Sequence, residues 1–177
     1  MNNDKEGRDH KSFNLLIIED SDLDAAVIRD IITTAIPNSS IVRVDNGEDG
    51  YRCIRKQGMY KAMPNFDLVF LDLNMPFMGG LELLSLLNKE GLSNNTTPPI
   101  AVITSSYSDA DAYECTKKGA ISYIIKTPDI EEFCSTLETY CRNMSAGVTS
   151  MISRQIHWNK DPQVQAQLIK LKDRRDL

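Results

Sequence analysis

An α/β protein built on a doubly wound parallel sheet is the fold class this sequence predicts, and three observations predict it. Short apolar runs recur at Leu15-Leu16-Ile17-Ile18, Leu68-Val69-Phe70-Leu71, Ile100-Ala101-Val102-Ile103 and Ile121 to Ile125, the length and composition of strands buried on both faces. Helical stretches alternate with these runs, the pattern of successive βαβ units. The runs also end in polar groups: Glu19-Asp20, Asp72, Thr104-Ser105 and Lys126. In open α/β sheets ligands gather outside the carboxyl ends of the strands. Side by side, these ends would bring three carboxylates, a hydroxyl and an ammonium to one mouth. Such a set suits a divalent cation together with a phosphoryl group.

Each element follows from its residues. Residues 1–12 are polar and without periodicity, and read as a flexible N-terminal arm. The first strand starts at Phe13, and the first helix begins near Ser21-Asp22. That helix carries Val27, Ile28, Ile31, Ile32 and Ala35 at spacings of three and four, an apolar stripe that can face a sheet, and ends at Pro37-Asn38. Ile41-Val42-Arg43-Val44 is a short strand. Asp45-Asn46-Gly47 turns into a second helix spanning about Glu48 to Gln57, and a polar connection from Gly58 to Asn65 leads to the strand before Asp72. A third helix, Gly80 to about Lys89, is rich in leucine, and Gly91 to Pro99 reads as a loop. Asp109 to Lys118, stopped at Gly119, is the fourth helix; Asp129 to about Arg142, entered through Pro128, is the fifth. Right-handed crossovers over five such units imply the strand order 2-1-3-4-5, with its reversal between the strands bearing Glu19-Asp20 and Asp72.

A separate unit follows at 143–177. Ser145-Ala146-Gly147 reads as a hinge, Met151, Ile152, Ile156 and Trp158 as an apolar cluster, and Asp161-Pro162 as the start of a short C-terminal helix running to Arg174. Charge divides along the same line. From Arg142 onward seven Lys or Arg stand against three Asp or Glu, so the stretch before it carries −9 of the overall −5 and the tail +4. The acidic body argues against direct DNA binding, which needs clustered cations to neutralise phosphates. The tail is expected to interact with the acidic body, within one chain or across a dimer.

Composition is that of an ordinary globular protein, 41% apolar and 25% charged. No apolar stretch approaches the roughly 20 residues needed to cross a bilayer, and the polar start lacks a signal-peptide pattern. Cys53, Cys115, Cys134 and Cys141 show no CxxC spacing, which favours plain thiols in a reducing compartment. A cytoplasmic location is the expectation.

The motifs Ile18-Glu19-Asp20, Leu71-Asp72-Leu73-Asn74-Met75-Pro76, Ile103-Thr104-Ser105 and Tyr123-Ile124-Ile125-Lys126 resemble, in order and spacing, those of response-regulator receiver domains of the single-domain type. The resemblance covers roughly residues 13 to 141, with the domain itself placed at 13–142. It implies the flavodoxin-like (βα)5 fold and a two-component phosphorelay role. Asp72 would be the phosphoacceptor, taking its phosphoryl group from a sensor histidine kinase or a phosphotransfer protein. Mg²⁺ would be held by Asp20, Asp72 and the backbone carbonyl of Asn74, with Glu19 acting through water. Lys126 and Thr104 would contact the phosphoryl group, and Thr104 moving toward it would open space for Tyr123, the switch. Output would run through helix 4, strand 5 and helix 5, a possible dimer face, by protein contacts. Such a domain is not an enzyme apart from catalysing its own phosphorylation and dephosphorylation.

Two departures from the family pattern stand out. Thr127 follows Lys126, where a proline often forms a cis bond, and a cis Lys126-Thr127 bond would cost about 2.5 to 4 kcal/mol. Gly79-Gly80 replaces a common Asp-Gly, which suggests a more mobile loop at the mouth. Two other functions compete. A haloacid dehalogenase-like phosphatase also uses an aspartyl nucleophile, but wants a second Asp where Asn74 stands. A phosphorylation-independent docking receiver would be expected to lack catalytic residues.

Overall fold

The computed structural model describes residues 12–90 and 97–147. The N-terminal arm, most of the loop before Pro98 and the tail with its expected helix and apolar cluster lie outside the described residues.

Five parallel strands form one sheet: β1 (Phe13–Ile18), β2 (Ser39–Val44), β3 (Leu68–Leu71), β4 (Ile100–Thr104) and β5 (Ser122–Ile125), in the order β2-β1-β3-β4-β5. This is the flavodoxin-like order expected. All four residues of β3 and all five of β4 are buried, which is why those strands read as unbroken apolar runs: both faces are covered by helices.

Side chains alternate between the two faces along each strand. Leu15, Ile17, Leu68, Phe70, Ala101 and Ile103 join one core cluster with α1 (Asp22–Ala35) and α5 (Ile130–Ser145). Leu16, Ile18, Val69, Leu71 and Val102 join the other with α2 (Gly47–Ile54), α3 (Gly80–Lys89) and α4 (Asp109–Lys117).

Helix starts obey their caps. The Ser21, Asn46, Ser108 and Asp129 side chains accept backbone N–H bonds in the first turns of α1, α2, α4 and α5. Helix ends depart from expectation twice. α2 stops at Ile54 rather than near Gln57, because Lys56 takes a left-handed φ of 52° while Gln57 N–H reaches Arg52 O and Lys56 N–H reaches Cys53 O, the bond pair of a Schellman ending. α5 runs past Arg142 to Ser145, since Met144 still packs into the core and the left-handed residue is Gly147, φ 73°.

The two glycines at the start of α3 mark a close approach of backbones. Neither Gly79 nor Gly80 has positive φ; a Cβ on Gly80 would lie 2.3 Å from the Asp72 carbonyl oxygen and 2.9 Å from Leu73 Cα. Gly80 is there for close approach, pressing the start of α3 onto the backbone of the Asp72 loop. No peptide bond among the described residues is cis, so Lys126-Thr127 is trans.

Candidate functional site

The sheet places the site residues through backbone bonds that run one step beyond the strands. Ile18 pairs with both Val44 and Leu71, and Thr104 with Ile125. Just past these pairs, Glu19 N–H donates to Val44 O at 3.0 Å, Asp72 N–H to Ile18 O at 2.9 Å and Lys126 N–H to Thr104 O at 2.8 Å. Each residue therefore leaves its strand at a height fixed by its neighbour. Sequence distances of 53 and 54 residues between them collapse into one mouth at the carboxyl edge.

The side chains converge there. Asp72 is 5% exposed, and its Oδ2 accepts the Asn74 N–H at 2.8 Å. Glu19 is 2% exposed; its Oε1 accepts the Ser21 N–H at 3.1 Å and its Oε2 faces the Lys126 ammonium at 2.7 Å. Carboxylate oxygens of Glu19, Asp20 and Asp72 all lie within 4.8 Å of one another. Lys126 Nζ stands 3.4 Å from Asp72 Oδ1 and 2.6 Å from Asp24 Oδ2.

Burial raises the Glu19 pKa most, the Lys126 ammonium opposes that rise, and the Asp72 charge adds to it. For Lys126, burial works against the charged form, but hydrogen bonds to Asp24 and Glu19 and the field of the carboxylates outweigh it, so its pKa lies well above the ordinary lysine value. The ammonium is thus secured, yet one cation faces several carboxylates. A buried carboxylate in a like-charged group is relieved by a hard cation bound through oxygen. The acidic cluster of Glu19, Asp20 and Asp72 fits the receiver metal site on this donor chemistry.

A second group lies under β4 and β5. Thr104 is fully buried and its Oγ1 accepts the Ser106 N–H at 3.2 Å, while Tyr123, 4% exposed, donates its hydroxyl to Ser106 O at 3.1 Å. Ser106 Oγ in turn donates to Asp111 Oδ2 at 2.7 Å. The expected switch residues therefore meet on one loop residue. Tyr123 already occupies a buried position with Thr104 turned to its own loop.

Three residues escaped the sequence reading. Asp24 offered only the signal of an acid in the first turn of a helix. Arg43 donates from Nε to Glu19 O at 3.1 Å, from Nη2 to Asp20 O at 3.2 Å and from Nη1 to Asp22 at 2.5 Å, pinning the loop that carries Asp20. Its signal was a lone cation in the apolar run of β2. Ser106 had none beyond its place two residues after Thr104.

Known proteins resemble this chain in sequence and in fold. The family model described as response regulator receiver domain matches residues 15–138. Response regulator Rcp1 of Synechocystis sp. is 23% identical over 118 residues, which are 67% of this chain and 79% of Rcp1. The nitrate/nitrite response regulator protein NarL of Escherichia coli K12 is 26% identical over 149 residues, 82% of this chain. The alignment spans 64% of NarL, so the chain covers just under two thirds of that relative. Among solved structures, the phosphorylated cyanobacterial phytochrome response regulator RcpA superposes with a TM-score of 0.70 at 20% identity, covering 77% of this chain and 96% of RcpA. The Mn(2+)-bound form of Rcp1 gives 0.64 at 22% identity, covering 71% and 89%. These two likenesses concern the fold. Neither the phosphatase reading nor the phosphorylation-independent docking reading gains support from the relatives. With the strand order, the acidic mouth and a family match over most of its length, this chain belongs to the response regulator receiver domain family.

Proposed function

We propose that the protein is the phosphoacceptor of a two-component phosphorelay, taking a phosphoryl group from a histidine kinase or phosphotransfer protein onto Asp72 and signalling through protein contacts. One observation carries this reading: a buried Asp72 carboxylate at the carboxyl end of a central strand, one oxygen held by the Asn74 N–H, the other facing Lys126 at 3.4 Å, inside a cluster with Glu19 and Asp20. A carboxylate oxygen attacks phosphorus, the P–O bond forms as the P–N bond of the donor phosphohistidine breaks, and the imidazole departs. The chain's own part is to catalyse its phosphorylation and dephosphorylation.

Asp20, Asp72 and the Asn74 carbonyl would hold Mg²⁺, with Glu19 acting through water; a bound cation supplies positive charge to the equatorial oxygens of the transferring group. Lys126 contributes a compact ammonium with three donors. Thr104 gives its hydroxyl to a phosphoryl oxygen, which requires it to leave the Ser106 N–H and so alters the loop on which Tyr123 rests. That rearrangement reaches α4 through Asp111, and the α4-β5-α5 face is the output surface and a dimer face; the basic tail offers a second route to association. No direct DNA contact is needed. No described helix is long and apolar enough to cross a membrane, and the four free cysteines suit a cytoplasmic setting.

Mixing the protein with phosphorylated histidine kinases tests the reading. Transfer of label from the kinase to wild type and not to Asp72→Asn is the expected result; transfer to both variants alike, or to neither from any kinase of the source cell, would count against it.

A further inference from the structure

Lys126 is shared unequally, and the unequal partner is one that the proposed phosphotransfer role does not use. Its ammonium has three donors. Two are committed at 2.7 Å to Glu19 Oε2 and at 2.6 Å to Asp24 Oδ2, whereas Asp72 Oδ1 stands at 3.4 Å, beyond ordinary hydrogen-bond length. Asp24 comes from the first turn of α1, 102 residues from Lys126, and its backbone is fixed there by its N–H bond to Ser21 Oγ at 3.2 Å.

The two committed partners differ in what it costs to release them. The Glu19 side chain is 3% exposed, so losing the ammonium would strand a buried charge. The Asp24 side chain is 38% exposed and can turn to water, since ion pairs at such positions are weak. When negative charge arrives on Asp72, the bond that yields is therefore the one to Asp24.

We propose that Asp24 is a positioning residue that restrains Lys126 between α1 and the mouth, holding the ammonium short of Asp72 until a phosphoryl group competes it away. The inference rests on the phosphoacceptor reading of Asp72. Asp24 touches neither substrate nor cation in this scheme; it acts through Lys126 alone. Release of Asp24 also removes one tie between the first turn of α1 and Lys126, the residue that follows β5, so the state of Asp72 is felt at the start of that helix.

Beryllofluoride titrations at saturating Mg²⁺, followed by a fluorescence or NMR signal from the site, test this on the full chain, with Mg²⁺ affinity and thermal melting measured beside them. Asp24→Ala is expected to lower the beryllofluoride midpoint by roughly two- to fivefold, the range an exposed ion pair commands, and Asp24→Glu to restore it. Asp24→Asn keeps the shape and loses the charge, so it should fall between them and serves if the alanine variant is unstable. A purely structural role would move the melting temperature and leave the midpoint in place. An unchanged or higher midpoint in Asp24→Ala and Asp24→Asn overturns the inference while leaving the Asp72 reading intact. Failure of wild type to take beryllofluoride at all would overturn the Asp72 reading first, and this inference with it.

Discussion

The mouth at β1, β3 and β5 and the loop between β4 and α4 are built on opposite electrical principles. At the mouth, Glu19, Asp24 and Asp72 crowd one ammonium, Asp20 shares an acidic cluster with Glu19 and Asp72, and the burial of Glu19 raises its pKa. In the loop, Thr104 and Tyr123 are neutral groups that both hydrogen-bond to the Ser106 backbone, while the Ser106 hydroxyl donates outward to Asp111 at the start of α4. On the proposed reading, the mouth gains free energy from an added cation, and the loop gains nothing until something pulls on Thr104. A device that reads phosphorylation needs both: a region that is incomplete without its ligands, and a satisfied one whose arrangement changes only when the first is filled.

Removing the cation of the mouth should have the largest effect. Lys126→Ala is predicted to slow phosphotransfer to Asp72 by about a hundredfold or more, the scale seen when one preorganised electrostatic partner of a transition state is lost. It should leave divalent-cation affinity nearly intact, whereas Asp20→Ala should weaken the cation first. Stopped-flow transfer and metal titration separate the two variants; equal losses of metal affinity would erase the division of labour inside the mouth.

Next in size is a test of the backbone that carries the mouth. Gly80→Ala places a Cβ 2.3 Å from the Asp72 carbonyl oxygen, and should destabilise the fold by about 1 to 3 kcal/mol through overpacking. Gly79→Ala, at φ −75°, should cost much less. Chemical denaturation of the pair decides whether close approach or loop freedom explains the two glycines.

Tyr123→Phe probes the satisfied region. It removes one hydroxyl bond to Ser106 O, worth about 1 kcal/mol, and should barely alter acceptance of phosphate while blunting its transmission to the α4-β5-α5 face. A large fall in the rate of phosphorylation would mean that the two regions are not separable.

The smallest effect is a pH dependence. Because burial raises the Glu19 pKa on folding, the native state holds that proton longer than the unfolded chain does. Stability from this group is therefore lost as pH rises from the ordinary glutamate range through its raised folded value. Relative to Glu19→Gln, wild type should lose stability across that window and recover it when Mg²⁺ is added. Urea unfolding at several pH values checks the sign; a difference that is flat or grows in favour of wild type with rising pH would contradict it.

What could be read in advance follows from which forces are local. Strands β1, β3 and β4 were legible because burial on both faces leaves no polar alternation, and the strand ends flagged Glu19, Asp72, Thr104 and Lys126. The end of α2 was not, because Arg55-Lys56-Gln57 contains no glycine and the left-handed turn falls on Lys56. Asp24 and Arg43 were hidden for a different reason. Their partners lie 102 and 24 residues away, and an acid in a first helical turn or a cation in a strand looks the same whether or not it reaches a site.

Intact-protein mass spectrometry after incubation with acetyl phosphate, with and without Mg²⁺, bears most directly on the mouth as a phosphoacceptor centre. Wild type should gain one phosphoryl group only with the cation present, and Asp72→Asn should gain none. Equal labelling of Asp72→Asn at another residue, or labelling of wild type that ignores Mg²⁺, would contradict the account.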